Sequence, residues 1–152
     1  MSIRAATLND VEAISPLFDA YRVFYEQKSD LDGAALYLKE NLSGQRSHVF
    51  MFEDGETVLG FTQLYPAFCS VEMQPFFVLY DLYVAPTARA KGVGTSLLLF
   101  AHEWARAQGA SRVDLETAHT NVTAQSIYEA LGYELDTEFR KYSFDLTCGL
   151  KK

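Results

Sequence analysis

The stretch that decides the fold runs from Tyr80 to Gly109 and reads YDLYVAPTARAKGVGTSLLLFAHEWARAQG. It begins as a strand, because Leu82 and Val84 are apolar at the period of two that a strand requires. Pro86 ends the strand, since proline has no N–H to donate to a neighbour. After a glycine turn, apolar residues recur at helical spacing: Leu97, Leu98, Ala101, Trp104 and Ala105. The stretch predicts a strand, a glycine turn and a helix that Gly109 closes.

The turn between strand and helix has the composition of an anion site. It consists of Arg89, Ala90, Lys91, Gly92, Val93, Gly94 and Thr95. The first turn of a helix leaves backbone N–H groups without partners and carries partial positive charge. Because Gly92 and Gly94 have no side chains, a phosphate could approach this backbone closely. The alternative is an ordinary glycine turn that binds nothing.

Two other phosphate-binding loops are excluded by the spacing. A Walker loop requires Gly-Lys-Ser/Thr after four intervening residues, and the turn lacks that arrangement. A dinucleotide-binding fingerprint requires a third small residue, but Leu97 stands three places after Gly94.

A second pattern follows one predicted strand later: Asn121-x-x-Ala124-x-x-x-Tyr128-x-x-x-Gly132-Tyr133. Asn121 and Tyr128 are about two helical turns apart, so they share a helix face with Ala124 between them. A small residue between a polar and a phenolic one suits a helix packed along an extended ligand. The alternative is structural: Asn121 caps the helix, and Tyr128 belongs to the core.

Together the two patterns resemble the GCN5-related N-acetyltransferase (GNAT) superfamily. Arg89-x-x-Gly92-x-Gly94 after Leu-x-Val-x-Pro is similar to the coenzyme A loop of that family, and the Asn121 pattern is similar to its C-terminal half. Subgroup features point to two branches. Asp81-Leu82-Tyr83-Val84 and Arg140–Phe144 look like the spermidine/spermine branch, and Tyr21-x-x-Phe24-Tyr25 looks like the fungal histone and D-amino-acid branch.

The resemblance implies a mixed α/β domain over residues 1–152, with the GNAT-type acyl-CoA N-acyltransferase fold. That fold has a central mixed, mostly antiparallel sheet flanked by helices. The backbone of Leu82, Tyr83 and Val84 would pair with the pantetheine arm of acetyl-CoA, and the residues from Arg89 to Thr95 would hold its pyrophosphate. Asn121, beside Ala124, would bond the pantetheine, and Tyr128 would reach the thioester sulfur as the catalytic acid.

Two positions depart from the family pattern. Ala90 stands where the family often has glycine, which costs stability if that position needs a positive φ. Tyr80 stands where the polyamine enzymes carry a glutamate that acts as a base.

The general base is therefore unassigned. An alkylamine is mostly protonated at neutral pH and must lose a proton before it attacks a thioester. The candidates are Asp81, Glu26, Glu72, Glu116 or a water chain. Strand alternation places Asp81 on the face opposite to Tyr80 and Leu82, which counts against it.

Composition limits the other possibilities. The formal net charge of −7 argues against nucleic-acid binding, and 49% hydrophobic residues indicate a globular protein. The N-terminus has no apolar signal core, and we expect a cytoplasmic location with Cys69 and Cys148 as reduced thiols. His102-Glu103 begins like a zinc-protease motif, but Arg106 occupies the place of the second histidine, so we expect no metal.

Along the chain, the patterns predict the following order. Strand 3–7 precedes a helix that Asn9 or Asp10 caps and that starts late or bends at Pro16. A second helix follows around Ala35–Leu42, and strands 48–52 and 57–64 flank the Asp54-Gly55 turn. A loop or bulged extension covers Pro66–Pro75. The remaining elements are strand 76–84, the helix that follows the glycine turn and ends before Gly109, strand 112–117, helix 121–131 and strands 134–137 and 141–146.

These patterns and the resemblance predict an N-acetyltransferase that transfers an acetyl group from acetyl-CoA directly to a primary amine of a small molecule, polyamine-like or amino-acid-like. The alternatives are an acetyltransferase that acts on proteins or peptides, and a non-catalytic acyl-CoA-binding module. We also expect a homodimer, because Phe76–Tyr83 and Tyr142–Phe144 are aromatic-rich segments near a predicted sheet edge.

Overall fold

The computed structural model describes residues 1–147. The chain divides into two compact units, Met1–Glu116 and Thr117–Lys152. The first unit contains the whole sheet.

The sheet has five strands whose order in space is their order in the chain. They are β1 Ser2–Ala5, β2 His48–Asp54, β3 Thr57–Cys69, β4 Gln74–Val84 and β5 Val113–Asp114. The first four pair antiparallel, and β5 pairs parallel to β4. The predicted mixed, mostly antiparallel sheet is therefore confirmed.

Three helices of the first unit cover the two faces of this sheet. Helices α1 (Val11–Phe24) and α2 (Leu31–Ser43) pack on one face, where Val49, Met51 and Phe61 complete their core. Helix α3 (Val93–Ala107) packs on the other face, where its Trp104 meets the rings of Phe50 and Phe77. Alternate residues of β2 thus belong to different cores, as the period of two requires.

The start of α1 differs from the prediction. Thr7, not Asn9 or Asp10, caps a short 3₁₀ turn, Leu8–Asp10, that leads into the helix. The Asp10 carboxylate instead accepts hydrogen bonds from the Arg4 guanidinium and the Thr7 N–H, which hold the pKa of Asp10 at about 2. The helix also does not start late, because Val11 opens it and Pro16 lies within it.

The predicted loop at Pro66–Pro75 is mostly a long extension of the hairpin between β3 and β4. The two strands stay paired as far as Cys69 and Gln74, and only Ser70–Met73 turns. The pairing of β2 ends at Leu64, so Pro66 lies where β3 has a strand partner on one side only. A proline is tolerated on such an edge, because its missing N–H breaks no ladder bond there.

The second unit contains α4, Val122–Ala130, which ends before Gly132 at φ = 100°. The strands predicted at 134–137 and 141–146 are not present. The Asp136 carboxylate accepts hydrogen bonds from the backbone N–H groups of Glu138 and Phe139, and the Asp145 carboxylate accepts one from the backbone N–H of Thr147. These local bonds compete with strand pairing and favour turns. Cys148 lies outside the described residues.

No helix within residues 1–147 is long and apolar enough to cross a membrane.

Candidate active site

Strand β4 contains a bulge in the middle of its pairing with β3. Gln63 pairs with Asp81 and Leu64 pairs with Leu79, so Tyr80 is an extra residue without a partner in the register. The Tyr80 ring lies 5.8 Å from the Tyr65 ring, on the face that α1 and α2 cover. Asp81 faces the same side, where Gln63 donates to its carboxylate. The expectation that Asp81 and Tyr80 lie on opposite faces is wrong, because a bulge resets the alternation.

Strand β5 pairs with β4 only at Phe77 and Val78, although a strand over 112–117 was predicted. A bulge bends its strand, and the bulge at Tyr80 lies just beyond the last pair, so the two strands separate there. Past Val78, no strand within residues 1–147 pairs with this side of β4. Alternate N–H and C=O groups of Leu82, Tyr83 and Val84 therefore have no strand partner on that side, as on any sheet edge.

The glycine turn leads from this strand into the N-terminus of α3. Gly92 occupies the N-cap position at φ = 81°, and no side chain caps the helix there. A Cβ at Gly92 would meet no atom within 4 Å, and one at Gly94 would meet only Val84 at 3.8 Å. The first turn of α3 contains no acidic residue. This backbone is open to an anion, and the binding of a phosphate at the turn stays a prediction.

Gly60 on β3 lets α3 approach the sheet at this point. A Cβ there would lie 3.1 Å from a Val93 methyl carbon and 3.1 Å from the Tyr83 carbonyl oxygen. These distances are shorter than ordinary contacts, so a side chain at Gly60 would push the helix away from β4. Gly60 thus places the helix N-terminus beside the end of the strand.

The two cations of the turn contact the protein itself. The Arg89 guanidinium lies 5.3 Å from the Tyr83 ring centroid, and its Nε donates to the Val84 carbonyl oxygen at 2.9 Å. Lys91 Nζ donates to the Thr87 carbonyl oxygen at 3.3 Å. Arg89 therefore joins the turn to the strand end, a structural role that the motif did not indicate.

Asp81 is a buried carboxylate, only 4% exposed. Gln63 Nε2 donates to Asp81 Oδ2 at 2.6 Å, and the Gln63 carbonyl oxygen accepts from Ser47 Oγ at 2.6 Å and from Asn41 Nδ2 at 3.1 Å. Within residues 1–147, no lysine, arginine or histidine forms an ion pair with Asp81. Burial raises the pKa of the Asp81 carboxyl, and the Gln63 hydrogen bond opposes that rise.

Phenols surround this carboxylate. Tyr21 donates its hydroxyl to the Tyr80 carbonyl oxygen at 3.2 Å, and the hydroxyls of Tyr37 and Tyr65 lie 2.8 Å apart. Burial raises the pKa values of Tyr21 and Tyr65, and the negative charge of Asp81 raises both further. Tyr21 and Tyr65 therefore stay protonated at neutral pH and can act as hydrogen-bond donors.

The other candidate bases lie elsewhere. Glu72 is in the β3–β4 turn, where Arg112 forms an ion pair with it. Glu26 follows α1 on an exposed stretch with φ = 64°. Glu116 lies beyond the end of β5. Of the four carboxylates proposed from the sequence, Asp81 alone is buried beside the bulge.

The second unit holds the other predicted site residues. Asn121 caps α4, because its side-chain oxygen accepts the Ala124 N–H at 3.2 Å. Tyr128 lies in the last turn of α4, with its ring 5.6 Å from the Tyr133 ring in an edge-to-face arrangement. The structural role of Asn121 is therefore observed, and the ligand-binding roles of Asn121, Ala124 and Tyr128 stay predictions.

Sequence reasoning missed the polar residues that support Asp81. Gln63 follows Thr62 in the middle of an apolar strand, and both are fully buried. Adjacent polar residues in such a strand were the available signal, because buried polar groups need partners. Asn41 on α2 and Ser47 before β2 give no comparable signal from the sequence.

A separate pocket of about 230 Å³, partly open to solvent, is lined by Trp104, His48 and Leu42 among others. It is lined neither by the glycine turn nor by Asp81, so we do not assign the site to it. Among residues 1–147, no group of three or more His, Cys, Asp or Glu could hold a metal ion.

Comparison with known proteins identifies the family. The profile of the acetyltransferase (GNAT) family matches residues 14–133, which include β4, the glycine turn and α4. The chain belongs to this family and is an N-acetyltransferase. The family implies acetyl-CoA as the acetyl donor.

Three relatives illustrate the match. The uncharacterized N-acetyltransferase YhfO of Bacillus subtilis is 46% identical over 146 residues, which cover 96% of this chain and 98% of YhfO. The D-amino-acid N-acetyltransferase HPA3 of Saccharomyces cerevisiae is 28% identical over 138 residues, which cover 88% of this chain and 85% of HPA3. A crystal structure of a probable acetyltransferase superposes with a TM-score of 0.91 at 34% identity, covering 96% of this chain and 98% of that one. The predicted family and fold are confirmed.

Proposed function

We propose that the protein transfers the acetyl group of acetyl-CoA directly to a primary amine of a small molecule that is polyamine-like or amino-acid-like. The observation that carries this proposal is the unpaired side of β4 that leads into the uncapped glycine turn of α3. An extended ligand with amide groups and a terminal pyrophosphate needs an open strand edge followed by a backbone anion site. The first unit has both in the required order.

The residues of the turn fit the pyrophosphate. Gly92 and Gly94 present backbone without a Cβ, and the N–H groups of the first turn of α3 can donate hydrogen bonds to a negatively charged group. Leu82, Tyr83 and Val84 would pair with the pantetheine amides as an added strand would. In this proposal Asn121 and Ala124 line the pantetheine, and Tyr128 protonates the departing sulfur.

The proposal that the acceptor is a small molecule is supported by the chain's relatives. The D-amino-acid N-acetyltransferase of yeast aligns over most of both chains. Because the family profile spans residues from both compact units, we also propose that residues 1–152 form one functional domain.

Calorimetry with two matched glycine variants tests the turn. Gly92 and Gly109 both have φ = 81°, lie at opposite ends of α3, and have no atom within 4 Å of a built Cβ. Gly92→Ala and Gly109→Ala therefore carry the same backbone strain. We expect Gly92→Ala to weaken acetyl-CoA binding at least tenfold and Gly109→Ala to leave it unchanged. Equal affinity in the two variants would place the pyrophosphate elsewhere.

Release of coenzyme A thiol across polyamines, amino acids, aminoglycosides and peptides tests the acceptor. Turnover with small amines supports the proposal. Turnover confined to peptides would favour a protein acetyltransferase, and tight binding of acetyl-CoA without turnover would favour a non-catalytic module.

A further inference from the structure

We propose that the pocket at the end of β1 is a second ligand site, separate from the one proposed for acetyl-CoA, and that it binds a small uncharged aromatic amide. Strand β1 pairs with β2 only from Ser2 to Ala5, whereas β2 pairs with β3 from its first residue, His48. The start of β2 therefore has a strand partner on one side only. This part of β2 lines the pocket together with Ala5 and Ala6.

The backbone of β2 offers hydrogen-bond donors at this pocket. Ala6 donates its N–H to the Val49 carbonyl oxygen at 2.8 Å, so the Val49 N–H points to the same side of β2, where β1 has ended. Among residues 1–147, no backbone carbonyl oxygen accepts the N–H of Val49 or of Ser47, although both residues are buried and line the pocket. Buried N–H groups normally have a partner. A ligand oxygen at the pocket would be one.

Aromatic rings form one wall of the pocket. The ring centroids of Trp104 and His48 lie 4.5 Å apart, and the Phe77 ring lies 5.8 Å from that of His48. Rings held in place by such packing give a firm surface on which another ring can stack. A cavity of about 150 Å³ can hold benzene. The pocket volume of about 230 Å³ therefore admits a six-membered ring with one small substituent.

The charge of the pocket selects a neutral ligand. None of the described residues that line it is an acid, a lysine or an arginine. Burial lowers the pKa of His48, so its imidazole is neutral at neutral pH. The last turn of α2 contributes Leu42, and the dipole of that helix disfavours an anion there, while open N–H groups disfavour a cation. A charged ligand would lose its water without a counter-charge.

Gln45 has a strained backbone beside the pocket. It follows α2 with φ = 52°, and the next residue, Arg46, donates its N–H to the Asn41 carbonyl oxygen at 2.9 Å. Glycine usually occupies this position after a helix, because a side chain is strained there. The strained residue lines the pocket with an exposed side-chain amide, which has both a donor and an acceptor. Strain that persists at a pocket is typical of ligand sites.

An aromatic amide matches these features. Its ring would stack on Trp104, its carbonyl oxygen would accept the Val49 N–H, and its NH₂ group would donate to the Gln45 side-chain oxygen. Benzamide is the simplest such molecule. Its nitrogen is not nucleophilic, because the lone pair is delocalised into the carbonyl group. Binding at this site can therefore be measured apart from acetyl transfer.

Fluorescence titration with three ligands of the same shape tests the site. Trp104 is the only tryptophan of the chain, so its emission reports a ligand in this pocket. We expect benzamide to bind at millimolar concentration or below, and about tenfold or more tightly than anionic benzoate or cationic benzamidine. Saturating acetyl-CoA should not displace it. No binding, equal affinity for the three ligands, or displacement by acetyl-CoA would overturn the proposal.

Substitutions of Gln45 separate binding from strain. Gln45→Ala and Gln45→Gly both remove the amide and should weaken benzamide binding about fivefold or more. Only Gln45→Gly relieves the backbone, so it alone should raise the midpoint of urea unfolding. Met73→Gly is the matched control, because Met73 has φ = 54° and does not line the pocket. It should leave the affinity for benzamide unchanged.

A larger side chain at Ala5 tests the location without removing a polar group. Ala5 lines the pocket on an exposed edge strand, so Ala5→Leu should fold and should abolish the change in Trp104 emission. Ser2→Leu adds a leucine to the same strand outside the pocket and should bind benzamide like the parent. If Gln45→Ala and Ala5→Leu both bind benzamide with parental affinity, the ligand lies elsewhere and the proposal fails.

Discussion

Ala90 has a left-handed backbone conformation, with φ = 61°, that residues with a side chain rarely adopt. The strain of this conformation is about 1–2 kcal/mol. Replacement by glycine removes it but gives the unfolded chain more freedom, which costs about 0.4–1 kcal/mol. We expect Ala90→Gly to raise the free energy of unfolding by roughly 0.5–1 kcal/mol.

Urea unfolding measures this difference. Ala88 is the control, because it is buried in the preceding 3₁₀ turn and is not among the residues with positive φ. Ala88→Gly should be destabilising. A destabilised Ala90→Gly variant would contradict the account of strain.

Tyr128 supplies the second prediction at the scale of the residue. An ordinary phenol is protonated at working pH, as a general acid must be. Tyr128→Phe keeps the ring, so acetyl-CoA affinity should stay close to that of the parent, while kcat should fall on the order of a hundredfold. Tyr133→Phe is the control, because its ring contacts that of Tyr128. Parental kcat in Tyr128→Phe would show that water protonates the thiolate.

At the scale of the element, the bulge in β4 produces the site. The residues on either side of Tyr80 keep regular partners, Leu79 with Leu64 and Asp81 with Gln63. Deletion of Tyr80 would therefore give a regular ladder with the same pairs. The straightened strand could pair with β5 beyond Val78, which would close the edge that we propose for acetyl-CoA.

We expect the Tyr80 deletion variant to fold with a similar melting temperature and to lose acetyl-CoA binding. Tyr80→Ala keeps the bulge but removes the ring, and this variant should still bind acetyl-CoA. Calorimetry and thermal unfolding of the two variants measure both effects. A deletion variant that binds acetyl-CoA like the parent would contradict this assignment.

Some elements of the fold could be predicted from the sequence alone and others could not. Helical spacing, the Asp54-Gly55 turn and the glycine turn predicted α1 to α3 and the hairpin, because each signal is local. The bulge at Tyr80 was not predictable, because it depends on which residues of β3 lie opposite. That register also placed Asp81, and without it simple alternation gave the wrong face. The prediction of two late strands was wrong because the carboxylates of Asp136 and Asp145 accept hydrogen bonds from nearby backbone N–H groups, which favours turns.

At the scale of the whole molecule, we propose a homodimer. The predicted strand at Tyr142–Phe144 gives it no support, since that segment is not a strand. The support comes from the tip of the β3–β4 hairpin, where Phe68, Val71 and Met73 are 80%, 94% and 87% exposed in the single chain. Exposed apolar side chains in a group favour contact with a second copy.

Light scattering at micromolar concentration should therefore give twice the mass of one chain. Val71→Glu should shift the protein to the monomer, because it brings a charge into the contact, and Glu72→Gln in the same turn should not. A monomeric parent would refute the homodimer.

The early end of β5 also determines how β4 exchanges its amide protons with solvent. About every second amide between Leu79 and Val84 bonds to β3, and the remainder have no strand partner within residues 1–147. In deuterated water the first group should exchange only when the sheet opens, and the second within minutes. A ligand that adds itself along this edge would slow the second group and leave the first unchanged. The strand would thus show, amide by amide, whether its edge is covered.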